Sequence, residues 1–134
     1  MATSVPPPPP TRSAGPTNLG MAPNVGALLC YVPCCIGLIF SVVVAIVEKQ
    51  SRFLRFHAFQ SLLFHAALIV LSVAVQVLTM VLSQLAGLLG LLGSLFGLVV
   101  GLLALGVSVF MMIKAYNNEQ YELPTIGQMA RNWV

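Results

Sequence analysis

Two long runs of positions without charge organise this chain. From Phe56 to Ile113 there is no Lys, Arg, Asp or Glu, and a second such run extends from Ser13 to Val47. An apolar run beyond about 18 residues reads as a membrane span. At about 1.5 Å per residue, one helix over Phe56–Ile113 would far overshoot a hydrocarbon core of about 30 Å, so this run must fold back and cross twice. The earlier run adds a third crossing. The pattern therefore predicts spans over about residues 25–47, 56–82 and 88–113, with a fold-back around Ser83 to Gly87. The fold class expected is all-α: an integral membrane protein, a bundle of three transmembrane helices with short interfacial helices.

The first segment carries Pro33 and Gly37, which predict a kink or break there. Its second half, Ile36 to Val47, is rich in branched aliphatics, which favour strands in water. In lipid a helix satisfies its own backbone groups, so helix is expected. Around Arg52–Phe59, aromatic and basic positions alternate at near-helical spacing. This predicts an interfacial helix running into segment two, with arginines reaching lipid phosphates. Beyond segment three, Tyr116 and Tyr121 fall where an aromatic belt is expected. The interfacial segment, residues 116–134, has Pro124 opening a short helix with Ile126, Met129, Ala130 and Trp133 on one face. Residues 1–23, with the run Pro6 to Pro10, form a proline-rich tail expected to be solvated and disordered, and residues 24–134 form one domain.

Composition agrees with this reading. Hydrophobic residues make up 58% of the chain and charged residues 7%, against about 25% charged in soluble domains. A formal net charge of +3, scattered along the chain, gives nucleic acid nothing to bind. The placement of charge is more informative. Lys49, Arg52 and Arg55 sit between segments one and two, Lys114 and Arg131 follow segment three, and Arg12 alone precedes segment one. Basic loops remain cytoplasmic. Three crossings then put the N-terminus outside, and the basic loop 48–55 and the C-terminus inside, in a bacterial inner membrane. A re-entrant pair in segment one would return the N-terminus to the cytoplasm. No secretory signal pattern opens the chain.

Two stripes carry candidate function. In segment three, Gly93, Gly97 and Gly101 repeat every four residues, and Gly90, Ser94, Ala104 and Ser108 extend the small face. Small residues let helix backbones approach closely in lipid, so this is a candidate helix-packing face. In segment two, His57, Ser61, His65, Ser72, Gln76, Thr79 and Ser83 fall close to one helix face. Such groups turn toward protein or water, either as interhelical hydrogen bonds or as a polar path. His57 and His65 are weak candidates to hold haem or chlorophyll; two turns apart, they do not make a same-helix metal pair. Cys30, Cys34 and Cys35 show no zinc spacing and read as packing residues. The three acids, Glu48, Glu119 and Glu122, give an acid–base enzyme little to work with, and Glu48 is placed to pair with Arg52. No cofactor, metal site or catalytic residue is expected.

The run Arg55-Phe56-His57-Ala58-Phe59-Gln60-Ser61 and the later Leu123-Pro124-Thr125-Ile126-Gly127 together resemble a large, mostly uncharacterised family of small bacterial membrane proteins. That family is related to the twenty-kilodalton Tic component of chloroplast protein import and includes the magnetosome proteins MamF and MmsF. The resemblance spans about Val25 to Trp133. It implies no catalytic residue, since the family has no agreed activity. The Tic component has four helices, matched here only if segment one splits at Pro33. Both motifs fall on the expected cytoplasmic face, where they are expected to pack together. The function expected is that of a non-enzymatic scaffold or accessory subunit of a membrane assembly. Its partners would be the bilayer, other membrane subunits or its own copies. The alternatives are a translocation or transport component, and a pigment-holding subunit.

Overall fold

The computed structural model describes residues 17–33 and 35–134, and the proline-rich run and Cys34 lie outside them. Among the described residues there are five helices and no strand: α1 Pro23–Cys30, α2 Cys35–Val47, α3 Arg52–Leu85, α4 Gly87–Tyr116 and α5 Ile126–Arg131.

Helices α3 and α4 are long and apolar enough to cross a bilayer. At about 1.5 Å per residue they measure about 51 and about 45 Å, longer than the hydrocarbon core. Helix α3 starts at the basic stretch without a break, and the Ser51 hydroxyl caps it by accepting from the Leu54 N–H at 3.2 Å. The fold-back is tighter than the five residues expected. Ala86 alone separates α3 from α4; its extended backbone both ends the first helix and opens the second.

Segment one is not a single long helix. It breaks at Tyr31–Pro33, and α2 turns back antiparallel to α3. The ends show this directly: the Asn18 side-chain amide donates to the Val47 carbonyl at 3.0 Å, and its backbone N–H donates to Glu48 Oε2 at 2.9 Å. Residues 18 and 48 therefore lie at one end of the molecule, beside the basic loop. Helix α2 has 13 residues, about 20 Å, too short for a span. Two long apolar helices and a pair of short helices folded on each other thus stand where three long helices were expected, and residue 18 lies at the same end of the molecule as the basic loop. The reason is steric and local. A Cβ on Gly37 would run into the carbonyl oxygen of Val32 and come within 2.8 Å of that of Cys30, so only glycine lets α2 fold this closely onto the end of α1. Outside, α2 shows Ile36, Ile39, Val42, Val43 and Ile46; inside it buries Gly37, Ser41 and Val44. A helix with its greasy side outward is suited to lipid.

The core lies at this basic end. Ala27, Cys30, Tyr31, Val44, Leu54, Ala58, Met111 and Ala115 form one buried cluster from α1, α2, the first turns of α3 and the last turns of α4. Between Ala66 and Leu89 no residue is buried. The molecule is a packed base carrying a bare two-helix hairpin.

Candidate functional site: a clasped base and an open groove

At the base the two motifs meet. Gln60 is fully buried, and its amide N–H donates to the Tyr121 carbonyl at 3.0 Å. The Leu123–Gly127 turn returns against it. A Cβ on Gly127 would lie 2.7 Å from Glu122 Cβ and 3.0 Å from Gln60 Oε1, which is why glycine stands there. Leu123 packs on the core, Glu122 pairs with Arg131, and Trp133 meets Phe59 edge-on at 5.9 Å. The inward face of α5 is Gly127 and Ala130. Met129 and Trp133, expected to share one face with Ile126 and Ala130, are exposed.

His57 is enclosed. Phe53, Phe56 and Tyr31 surround its ring at 4.7, 5.4 and 5.8 Å, and Nδ1 lies 3.2 Å from the Tyr31 hydroxyl. It is fully buried, which leaves no open face for an axial ligand. Ser61 serves the broken helix. Helix α1 ends at Cys30, whose carbonyl needs a donor in a low-dielectric setting. Ser61 Oγ donates to it at 2.5 Å, while Ser41 Oγ donates to the Gly37 carbonyl at 2.7 Å and lies 3.0 Å from Ser61 Oγ. His65 Nδ1 lies 2.8 Å from the Ser61 carbonyl, an acceptor only, so Nδ1 carries the proton in that bond. Among the described residues, no group of three His, Cys, Asp or Glu side chains is close enough to hold a metal.

The polar stripe of α3 therefore divides. Of its lower members, His57 and Ser61 join α3 to the end of α1, and His65 bonds back to Ser61 on its own helix. Its upper members, Ser72, Gln76, Thr79 and Ser83, line a groove of about 900 Å³ between α3 and α4. The small-residue stripe forms the opposite wall. A Cβ on Gly90 would lie 2.7 Å from Ser83 and one on Gly93 2.8 Å from Thr79; on Gly97 the nearest atom is Val75 at 3.3 Å, and Gly101 faces open space. The helices thus touch at the tip and part toward the base, where α1 packs against both; Asn24 there donates to the Tyr116 carbonyl at 3.1 Å. The hydroxyls of Ser72, Ser83, Ser94 and Ser108 bond back to their own helices. Gln76 is exposed in the groove wall.

Glu48 departs from expectation. It does not pair with Arg52: fully buried, it accepts the backbone N–H groups of Asn18, Gln50 and Ser51, each at 2.9 Å. Ser41 and Tyr31 were missed as well. Ser41 had a signal, as the one hydroxyl in the aliphatic run Ile36–Val47; Tyr31 had none.

The fold and these sites define a small all-helical membrane protein with two long apolar helices and no strand among its described residues. The chain belongs to the magnetosome magnetite crystal formation protein family, whose pattern matches residues 16–130. It is also similar to UPF0132 membrane proteins of archaea. One from Methanocaldococcus jannaschii is 32% identical over 119 residues, covering 89% of this chain and 94% of the relative. One from Archaeoglobus fulgidus is 31% identical over 114 residues, covering 85% and 97%. No solved structure matches the chain.

Proposed function

We propose that this protein is a non-enzymatic scaffold or accessory subunit, and that the α3/α4 groove receives a transmembrane helix of an assembly partner. The observation that carries this reading is the exposed amide of Gln76 opposite a glycine wall, within a helix long and apolar enough to cross a bilayer. A polar group there gains from a protein partner, by roughly 0.6 kcal/mol per interhelical bond, and glycines let a third backbone approach. The membrane orientation that fits has the Asn18 end, the basic loop and the C-terminus all cytoplasmic, since basic segments stay inside. Magnetite crystal formation, named in the family's description, finds little support in the carboxylates: Glu48 is buried, and Glu119 and Glu122 are in ion pairs.

The test is assembly in bilayers by chemical cross-linking. Gln76→Leu and Gly97→Leu should each reduce cross-linked species several-fold, with helix content by circular dichroism unchanged. Full assembly in both variants refutes the reading. A second reading, a polar path in an oligomer, draws on the same stripe from Ser72 to Ser83. Conductance or substrate flux with purified protein in planar bilayers distinguishes it.

A further inference from the structure

The charge distribution at the base points to a second binding surface, independent of the groove. The sequence has three acidic residues. Glu119 bonds Lys114 at 2.7 Å, Glu122 pairs with Arg131, and Glu48 is buried on three backbone N–H groups. Among the described residues, no acidic side chain forms an ion pair with Lys49, Arg52 or Arg55, and the one carboxylate in their loop, Glu48, is turned inward onto backbone N–H groups. These three cations occupy one loop and the first turn of α3, with Lys49 and Arg52 exposed and Arg55 half-buried.

The helix end itself is already capped by Ser51, so its backbone is not what attracts a ligand. Basic side chains in a first turn oppose the helix dipole, so their placement works against the helix. Arg55 is also held in place. Its guanidinium lies 5.7 Å from the Phe59 ring, which Trp133 also meets edge-on, and its Nε is buried without a hydrogen-bond partner among the described residues. A guanidinium beside the half-buried Phe59 and the exposed Trp133, at the end of two helices long enough to cross a bilayer, suits the headgroup layer.

We infer that Lys49, Arg52 and Arg55 form a docking surface for the phosphate headgroup of an anionic phospholipid. Guanidinium groups match phosphate with paired N–H donors, and a zwitterionic headgroup offers no net charge to offset the three cations.

The experiment uses the full chain in mixed phosphatidylglycerol and phosphatidylcholine nanodiscs, followed by release and native mass spectrometry of retained lipid. The wild-type protein should retain phosphatidylglycerol selectively. Arg52→Gln and Arg55→Gln should each lower that retention about 5-fold, from about 1 kcal/mol per basic residue near a charged surface. Lys114→Gln, whose cation already has a carboxylate, should change it little. Lys49→Gln, at an exposed loop position, provides the same reading if an arginine variant folds poorly, and should also lower retention. Equal retention of phosphatidylcholine, or unchanged selectivity in the Lys49 and Arg52 variants, overturns the inference. Displacement of phosphatidylglycerol by millimolar inorganic phosphate overturns it too, since the site would then recognise a free anion.

Discussion

At the base of the molecule, four helices converge on one buried cluster, and three buried polar side chains there are tied to other elements: Gln60 to the chain after α4, Ser61 to the end of α1, Glu48 to the segment before α1. At the tip, two helices meet along a few small residues, and their polar side chains bond to their own backbone or face the groove. Both regions are built from the same apolar composition. The difference lies in how many elements share the polar groups. Where a third and a fourth helix are at hand, a hydroxyl or amide becomes a cross-link; where only two helices meet, it remains a surface feature open to a partner from outside the chain.

Substitutions at the base and tip should separate these two behaviours. The largest effect is expected for Gly37→Val. The added atoms meet backbone carbonyls that cannot move without unfolding the hairpin, and overpacking of this kind costs about 3 kcal/mol. Denaturant titration of the detergent-solubilised protein should show this loss, and a cysteine pair at Asn18 and Val47 should cross-link in the parent but not in the variant. A crossing first segment would forbid that cross-link altogether. Next comes Glu48→Ala. Removing one acceptor leaves three backbone donors unmatched, a loss of about 2–3 kcal/mol. Amide exchange at Asn18, Gln50 and Ser51 should accelerate, while exchange in the α3/α4 tip stays as it was.

Smaller effects are expected at the tip. Gly93→Leu must displace Thr79 and should cost about 1–2 kcal/mol, whereas Gly101→Leu meets nothing and should stay within about 0.5 kcal/mol. Paired melting curves measure this difference. Equal losses at the two positions would mean that the helices run in contact along their whole length and that no groove separates them.

Much of this arrangement was legible in the chain. The charge-free run Phe56–Ile113 could only be a helical hairpin, and the Arg55–Ser61 and Leu123–Gly127 motifs do meet. The polar stripe was visible as one face, yet its division at His65 was not. Periodicity says which residues share a side of a helix, not which neighbour arrives at each level. Glu48 was misjudged for a related reason: a four-residue spacing to Arg52 suggests a surface pair, and nothing local reveals that Asn18, thirty residues earlier, comes to lie beside it.

What the sequence determined by itself was the solvent for which this chain is made and where its long hairpin turns, because hydrophobic length and the distribution of charge are additive along a chain. Only the tertiary structure decided that the first segment breaks into two helices folded on each other. Pro33 and Gly37 permit either outcome; the contact of Gly37 with the end of α1, the hydroxyls of Ser41 and Ser61 on the freed carbonyls, and the hold of Glu48 on both ends select one. Those contacts join residues far apart in the chain, and their energies exist only once the helices are side by side.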